Sequence, residues 1–170
     1  MRQLIARIDA RRDKAFERRP QSSVSLLYAT RALCFAPTSP DEPEHAELRS
    51  MLLEGEEAMV TTELSRMELA NAARAAAKGG RLRSWGALLA RIDADCQEDG
   101  PIALLRLRPE VVLPVAYGLV LERRLRMLDA IHLAVAAEDC PALAGDDDIA
   151  FVTRDRDQAS AAAAAGGARR

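Results

Sequence analysis

Two acid-led segments in the C-terminal half restrict the folds open to this chain. Met127-Leu-Asp-Ala-Ile-His-Leu-Ala134 puts Asp129 at the start of one helical pattern. Phe151-Val-Thr-Arg-Asp-Arg-Asp157 puts Asp155 at the start of another, directly after a short apolar strand. A strand that feeds a helix through a short polar turn is the building unit of a parallel sheet. Much of the remaining chain repeats it. Residues 24–28, 58–61, 102–107 and 149–153 read as strands, and 44–53, 62–78, 81–95, 109–124, 127–138 and 155–165 as helices. Gly79-Gly80 is a C-terminal stop signal, and Pro109 suits a first helical turn. Pro114 is expected to disturb its helix. The proline-rich stretch 36–43 and the acidic stretch 141–148 read as loops. The alternation predicts an α/β fold, a three-layer sandwich with a central parallel sheet of about four strands flanked by helices.

At 170 residues the chain is long enough for one domain with a real core. Hydrophobic residues make up 49% and aromatic ones 4%, so the core is built mainly from Ala, Leu and Val, which suits helices on a small sheet. Residues 3–18 read as a basic helix with a weak apolar stripe of Leu4, Ile5, Ile8 and Phe16, ended by Pro20. The chain is therefore divided into an N-terminal basic helical extension, 1–20, and a main domain, 21–170. No apolar run approaches the ~20 residues of a membrane span, and the basic N-terminus lacks the apolar centre of a secretory signal. A cytoplasmic protein with no membrane contact is expected. Cys34, Cys96 and Cys140 are odd in number and lack CxxC spacing, which argues against a disulfide framework or zinc site. A net charge of −2 excludes a uniformly basic nucleic-acid binder but leaves room for local basic patches.

A third acid, Glu68, shares a helix face with Leu64 and Ala72. A carboxylate on an apolar stripe is costly unless paired or bound to a cation; a surface Glu paired with Arg66 or another base is the plain alternative. Asp129 and Asp155 have their own plain reading as helix caps. Together, clustered carboxylates cannot all stay ionised without a cation. Oxygen-only ligation suits Mg²⁺ or Mn²⁺, and such an ion can activate water and steady charge on a phosphodiester. Asp157 is an auxiliary acid. His132, among Ile131 and Leu133, reads as a packed structural residue rather than a general base. Only His45 accompanies it, so a His-rich metal site is excluded, and no P-loop, GxGxxG or GxSxG motif occurs.

These residues resemble the PIN-domain family, specifically VapC-type toxins of bacterial toxin–antitoxin pairs, over about residues 24–166. Leu128-Asp-Ala-Ile-His-Leu-Ala134 is similar to the family's third acidic motif. Val152-Thr-Arg-Asp-Arg-Asp157 is similar to the fourth, and Thr61-Thr-Glu-Leu-Ser-Arg-Met-Glu-Leu69 to the second, with Glu68 in the acid position. The resemblance implies a PIN-like sandwich over 21–170. It also implies a Mg²⁺- or Mn²⁺-dependent endoribonuclease cutting single-stranded regions of RNA, with a cognate antitoxin and a homodimeric state. Asp129, Asp155 and Glu68 would be the catalytic and metal-binding acids. Arg31, Arg66 and Arg154 would approach RNA phosphate, with ion pairs to nearby acids as the alternative for Arg66 and Arg154. The departure is at the first motif. In Tyr28-Ala-Thr-Arg-Ala-Leu33 the family's first Asp falls on Ala29 and its small Ser on Arg31. That loss implies weaker metal binding and slower hydrolysis. It opens a second reading, a degenerate PIN domain that binds RNA or a protein partner without cutting.

Overall fold

The structure, a computed structural model, describes residues 4–7, 24–29, 58–80, 82, 84–145 and 147–168. In chain order its elements are β1 (Leu4–Arg7), β2 (Val24–Ala29), β3 (Ala58–Thr62), α1 (Glu63–Lys78), α2 (Trp85–Asp95), β4 (Ile102–Leu105), α3 (Pro109–Arg123), α4 (Met127–Ala144), β5 (Asp148–Val152) and α5 (Arg156–Ala168). The protein is α/β with parallel strand pairs, as the alternation requires. The expected loop 36–43, helix 44–53 and Cys34 lie outside the described residues. Two compact units form, Met1–Tyr28 with Leu107–Arg170, and Ala29–Arg106, so the division falls inside β2.

In the first unit β5 lies between β1 and β2. β1 runs parallel to β5, with Leu4 opposite Ile149 and Arg7 opposite Val152. This corrects the expected helix over 3–18 at its start. Four residues cannot distinguish a period of 2 from one of 3.6, and pairing with β5 satisfies backbone groups that an open edge would leave exposed. All five residues of β5 are buried, the mark of a parallel strand covered on both faces. α5 packs against β1 and β5, and α4 against α3, α5 and β5.

α4 is buried on every side from Asp129 to Ala136, which fits its nearly unbroken apolar sequence. It also runs on to Ala144, through Pro141 and into the expected loop. A proline removes one backbone donor, but Cys140 and Ala144 are buried and hold the last turn in place. Pro114 likewise leaves α3 unbroken. It sits near the N-terminus, and the carbonyl it deprives, that of Glu110, belongs to an exposed first-turn residue open to water. Buried Tyr28 ties β2 to β5 and to α4. Its ring stacks on Phe151 of β5 at 5.3 Å, and its hydroxyl meets His132 Nδ1 of α4 at 3.0 Å.

In the second unit β3 and β4 are parallel, Met59 opposite Ile102 and Thr62 opposite Leu105. Parallel neighbours need a crossover, here supplied by α1 and α2. α1 buries Ser65, Leu69, Ala73 and Ala76, a single stripe at helical spacing. The chain turns at Gly80, whose φ of 70° favours glycine, and α2 begins at Trp85 rather than at 81. Gly100 closes the turn after α2. A Cβ there would lie 2.3 Å from the Asp95 carbonyl oxygen, so only glycine fits.

Candidate functional site

The first unit holds two of the flagged acids, and one side chain links them. Asp129 lies in the first turn of α4, 7% exposed. Asp155 precedes α5, where its Oδ1 accepts the Gln158 backbone N–H at 2.9 Å. That is an N-cap, the plain reading of this acid, with Gln158 three residues on as in a capping box. The Gln158 side chain turns elsewhere. Its Oε1 accepts the Thr153 hydroxyl at 2.6 Å, and its Nε2 donates to the Asp129 backbone carbonyl at 3.0 Å. Thr153 Oγ1 in turn accepts the Asp155 N–H at 3.1 Å. Gln158 is 1% exposed and Thr153 3%. A relay therefore runs from Asp155 N–H through the Thr153 hydroxyl and the Gln158 amide to the carbonyl of Asp129. Chained bonds of this kind polarise and strengthen one another in a low-dielectric interior.

The cap uses one acceptor position of a carboxylate that has about four. It sets the Asp155 rotamer without exhausting the group. Hard oxygen donors suit Mg²⁺, which binds through one or two carboxylates plus substrate phosphate and keeps several waters. The donor chemistry of Asp129 and Asp155 fits that mode. Among the described residues, however, no group of three or more His, Cys, Asp or Glu side chains is placed to hold a metal ion. Asp157 is exposed in the first turn of α5, and Arg154 is half-buried beside Asp155 in sequence. Fully buried His132 meets the Tyr28 hydroxyl, consistent with a packed structural role.

The second unit holds Glu68. Leu64, Glu68 and Ala72 are all half-buried, so they share one face of α1 as the spacing required. Arg66 does not serve Glu68. Its guanidinium pairs with Asp93 of α2, with Nε at 3.1 Å from Oδ1 and a second, shorter contact from the same group. Ala29 ends β2 fully buried, and its carbonyl accepts the Thr61 hydroxyl at 2.6 Å. Since Thr61 has a single proton, the 2.6 Å contact between Thr61 and Ser65 hydroxyls must be donated by Ser65. Arg31 lies outside the described residues.

Gln158 was missed from sequence, although Asp155 followed three residues later by Gln is a legible capping pattern. Of the free thiols, Cys140 is pushed up to about 12, first by burial and then by the neighbouring Asp139 carboxylate. Cys96 is raised mainly by burial. Neither offers a ready thiolate at neutral pH.

No family model matches the chain, and no curated protein matches it. Among solved structures it is similar to the crystal structure of PAE2754 from Pyrobaculum aerophilum, at 21% identity over 79% of this chain and 77% of that one, with a TM-score of 0.49. Among the described residues no helix is long and apolar enough to cross a membrane.

Proposed function

We propose that this chain is a metal-dependent endoribonuclease of the VapC toxin type, cutting single-stranded regions of RNA and weakened by alanine at position 29. The observation that carries this reading is the link from buried Gln158 to both Asp129 and Asp155, two acids that the motif resemblance assigns to one centre. Asp129, Asp155 and Glu68 would hold Mg²⁺ or Mn²⁺. Bound there, the ion would supply an activated water and charge stabilisation at phosphorus. The relay fixes the α5 cap, and with it the Asp155 carboxylate, to the first turn of α4. Asp129 is carried on a helix whose all-round burial restricts its movement. Arg154, Arg66 and Arg31 would approach phosphate, and a cognate antitoxin would be the protein partner.

The second reading, a PIN-like module that binds RNA or a protein without cutting, is favoured by Ala29 itself. Position 29 is fully buried and its carbonyl is engaged by Thr61. An aspartate there would put a carboxylate where desolvation is costly unless a cation is present.

Mn²⁺-dependent cleavage of a mixed small-RNA pool separates the two readings when the chain is run beside Ala29→Asp and Asp129→Asn. Cleavage by the chain as it stands, lost in Asp129→Asn, makes it an enzyme. Cleavage by Ala29→Asp alone makes it a nuclease scaffold disabled at one ligand. No cleavage by any of the three supports the binding module.

A further inference from the structure

The corner between α3 and α4 gathers arginines beside exposed apolar side chains. α3 ends at Arg123 and α4 begins at Met127, and the three residues between them return the chain, so the two helices pack as a helical hairpin. The C-terminal end of α3 therefore stands beside the first turn of α4, which carries Asp129. Leu125, 4% exposed, fastens this corner. Arg123, Arg124 and Arg126 around it are all exposed. Elsewhere Arg66, Arg91 and Arg108 are held by Asp93, Asp95 and Asp139, whereas among the described residues no acid pairs with these three. Glu122 is the one exposed acid in the stretch 121–128, so the corner is locally cationic on a chain whose net charge is −2. Apolar side chains flank it. Tyr117 and Leu121, one helical turn apart on α3, are 67% and 63% exposed, and Met127 opens α4 at 68%.

We infer that this corner and the Tyr117–Leu121 stripe form a track for single-stranded RNA that leads to Asp129. The inference rests on RNA being the ligand, as in the nuclease reading, and adds where the strand runs and what holds it. None of these residues is among those that the motif resemblance assigns to RNA. Charge complementarity selects a polyanion, because a guanidinium grips phosphate oxygens with paired N–H donors. The apolar neighbours select an unpaired strand. A duplex hides the base faces that a single strand can lay on an aromatic ring. Tyr117 is the stacking platform, about 9 Å along α3 from Arg123 by helical rise. Leu121 stands between them and offers apolar contact to a neighbouring base. Arg126 is the arginine nearest Asp129 along the chain. Its carbonyl accepts the Ala130 N–H at 2.9 Å, which closes the turn that carries Asp129. A phosphate held by Arg126 is thereby brought to the first turn of α4.

Fluorescence anisotropy of the full chain with a short labelled single-stranded RNA of mixed sequence tests it, in EDTA so that nothing is cut, at several salt concentrations. Circular dichroism is the folding control, and every substituted position is exposed. The triple variant Arg123→Ala/Arg124→Ala/Arg126→Ala should lower the salt slope by about 2, at ~0.7 per phosphate contact, and weaken binding at least about tenfold. Tyr117→Leu keeps an apolar side chain but loses the ring. It should weaken binding about tenfold with the salt slope unchanged, while Tyr117→Trp keeps full affinity. Arg91→Ala, which removes an exposed arginine already paired with Asp95, should change neither quantity. A triple variant with the parent's salt slope overturns the proposal, as does Tyr117→Leu binding like the parent. A chain that binds no RNA also overturns it and leaves the corner to a protein partner. RNA bound with the expected losses but never cut in Mn²⁺, even by Ala29→Asp, keeps the track and removes the nuclease reading. RNA that is cut, with binding unmoved by these variants, does the reverse.

Discussion

Asp129 and Glu68 sit on helices built in opposite ways. α4, which carries Asp129, is buried on every side for eight consecutive residues, Asp129 to Ala136. α1, which carries Glu68, buries only the stripe Ser65, Leu69, Ala73 and Ala76. An acid on the first kind of helix has its position dictated by what surrounds it, and its burial must be compensated. An acid on the second kind rests at the edge of a stripe, half-buried. Substitutions on the two helices should differ accordingly.

The largest expected difference is in packing. Leu133→Ala removes a fully buried side chain from α4 and should cost ~2–5 kcal/mol. Met67→Ala removes a side chain 64% exposed on α1 and should stay within about 0.5 kcal/mol. Urea unfolding followed by circular dichroism measures both. Similar losses at the two sites would mean that α4 is no more tightly held than α1, and the contrast would fail.

The polar side of the contrast is next. Gln158→Leu removes the amide that joins the Thr153 hydroxyl to the Asp129 carbonyl and leaves buried groups unpaired, at a cost of ~1–3 kcal/mol. Gln158→Glu keeps an acceptor for Thr153 but brings no N–H to Asp129. If holding Asp129 is what matters for cleavage, Gln158→Glu in the Ala29→Asp background should lose activity as fully as Gln158→Leu does. Activity retained by Gln158→Glu would confine the relay to capping α5.

What was legible in the sequence, and what was not, follows the same division. Strand and helix starts were readable where local chemistry is strong. Gly79-Gly80 ended α1, Pro109 opened α3, and the five-residue apolar run became β5 one residue early. The misreadings came where tertiary contacts overrule local signals. Leu4–Arg7 pairs with β5 although its spacing also fits a helix, and buried Cys140 and Ala144 carry α4 through Pro141. For the site, the cap at Asp155 and the structural His132 were readable from residue type and neighbours. Gln158 was not read, because its partners lie at Thr153 and at Asp129, 29 residues away in sequence. For Arg66 an ion pair with a nearby acid was one of two readings, and the acid that takes it, Asp93, stands 27 residues away on α2.

A smaller effect separates the two roles of Asp155. Asp155→Ala should lose the cap and ~0.5–2 kcal/mol, while Asp155→Ser keeps a capping oxygen and should cost only a few tenths. In the Ala29→Asp background both variants should lose Mn²⁺-dependent cleavage, since a serine hydroxyl does not replace a carboxylate ligand. Cleavage surviving in Asp155→Ser would reduce this acid to a cap and leave Asp129 without its neighbour in the proposed centre.

The smallest effect on stability, and the most selective on binding, belongs to Arg66 on the half-exposed helix α1. Arg66 and Asp93 are 48% and 52% exposed, so solvent screens their pair to ~0–1 kcal/mol. Arg66→Ala and Asp93→Ala should both leave the melting temperature nearly unchanged. Their effects on RNA should diverge if Arg66 exchanges Asp93 for a phosphate. Arg66→Ala would then weaken binding and lower the salt slope by about 0.7, the contribution of one contact to a single strand. Asp93→Ala would strengthen binding, because the guanidinium no longer has to leave a carboxylate to reach a phosphate. Titrations of single-stranded RNA by fluorescence anisotropy at several salt concentrations read both quantities. Parallel behaviour of the two variants would show that the pair serves only to fasten α1 to α2. Opposite behaviour would make the exposed face of α1 part of the RNA path, the role its half-solvated construction allows and the enclosed α4 does not.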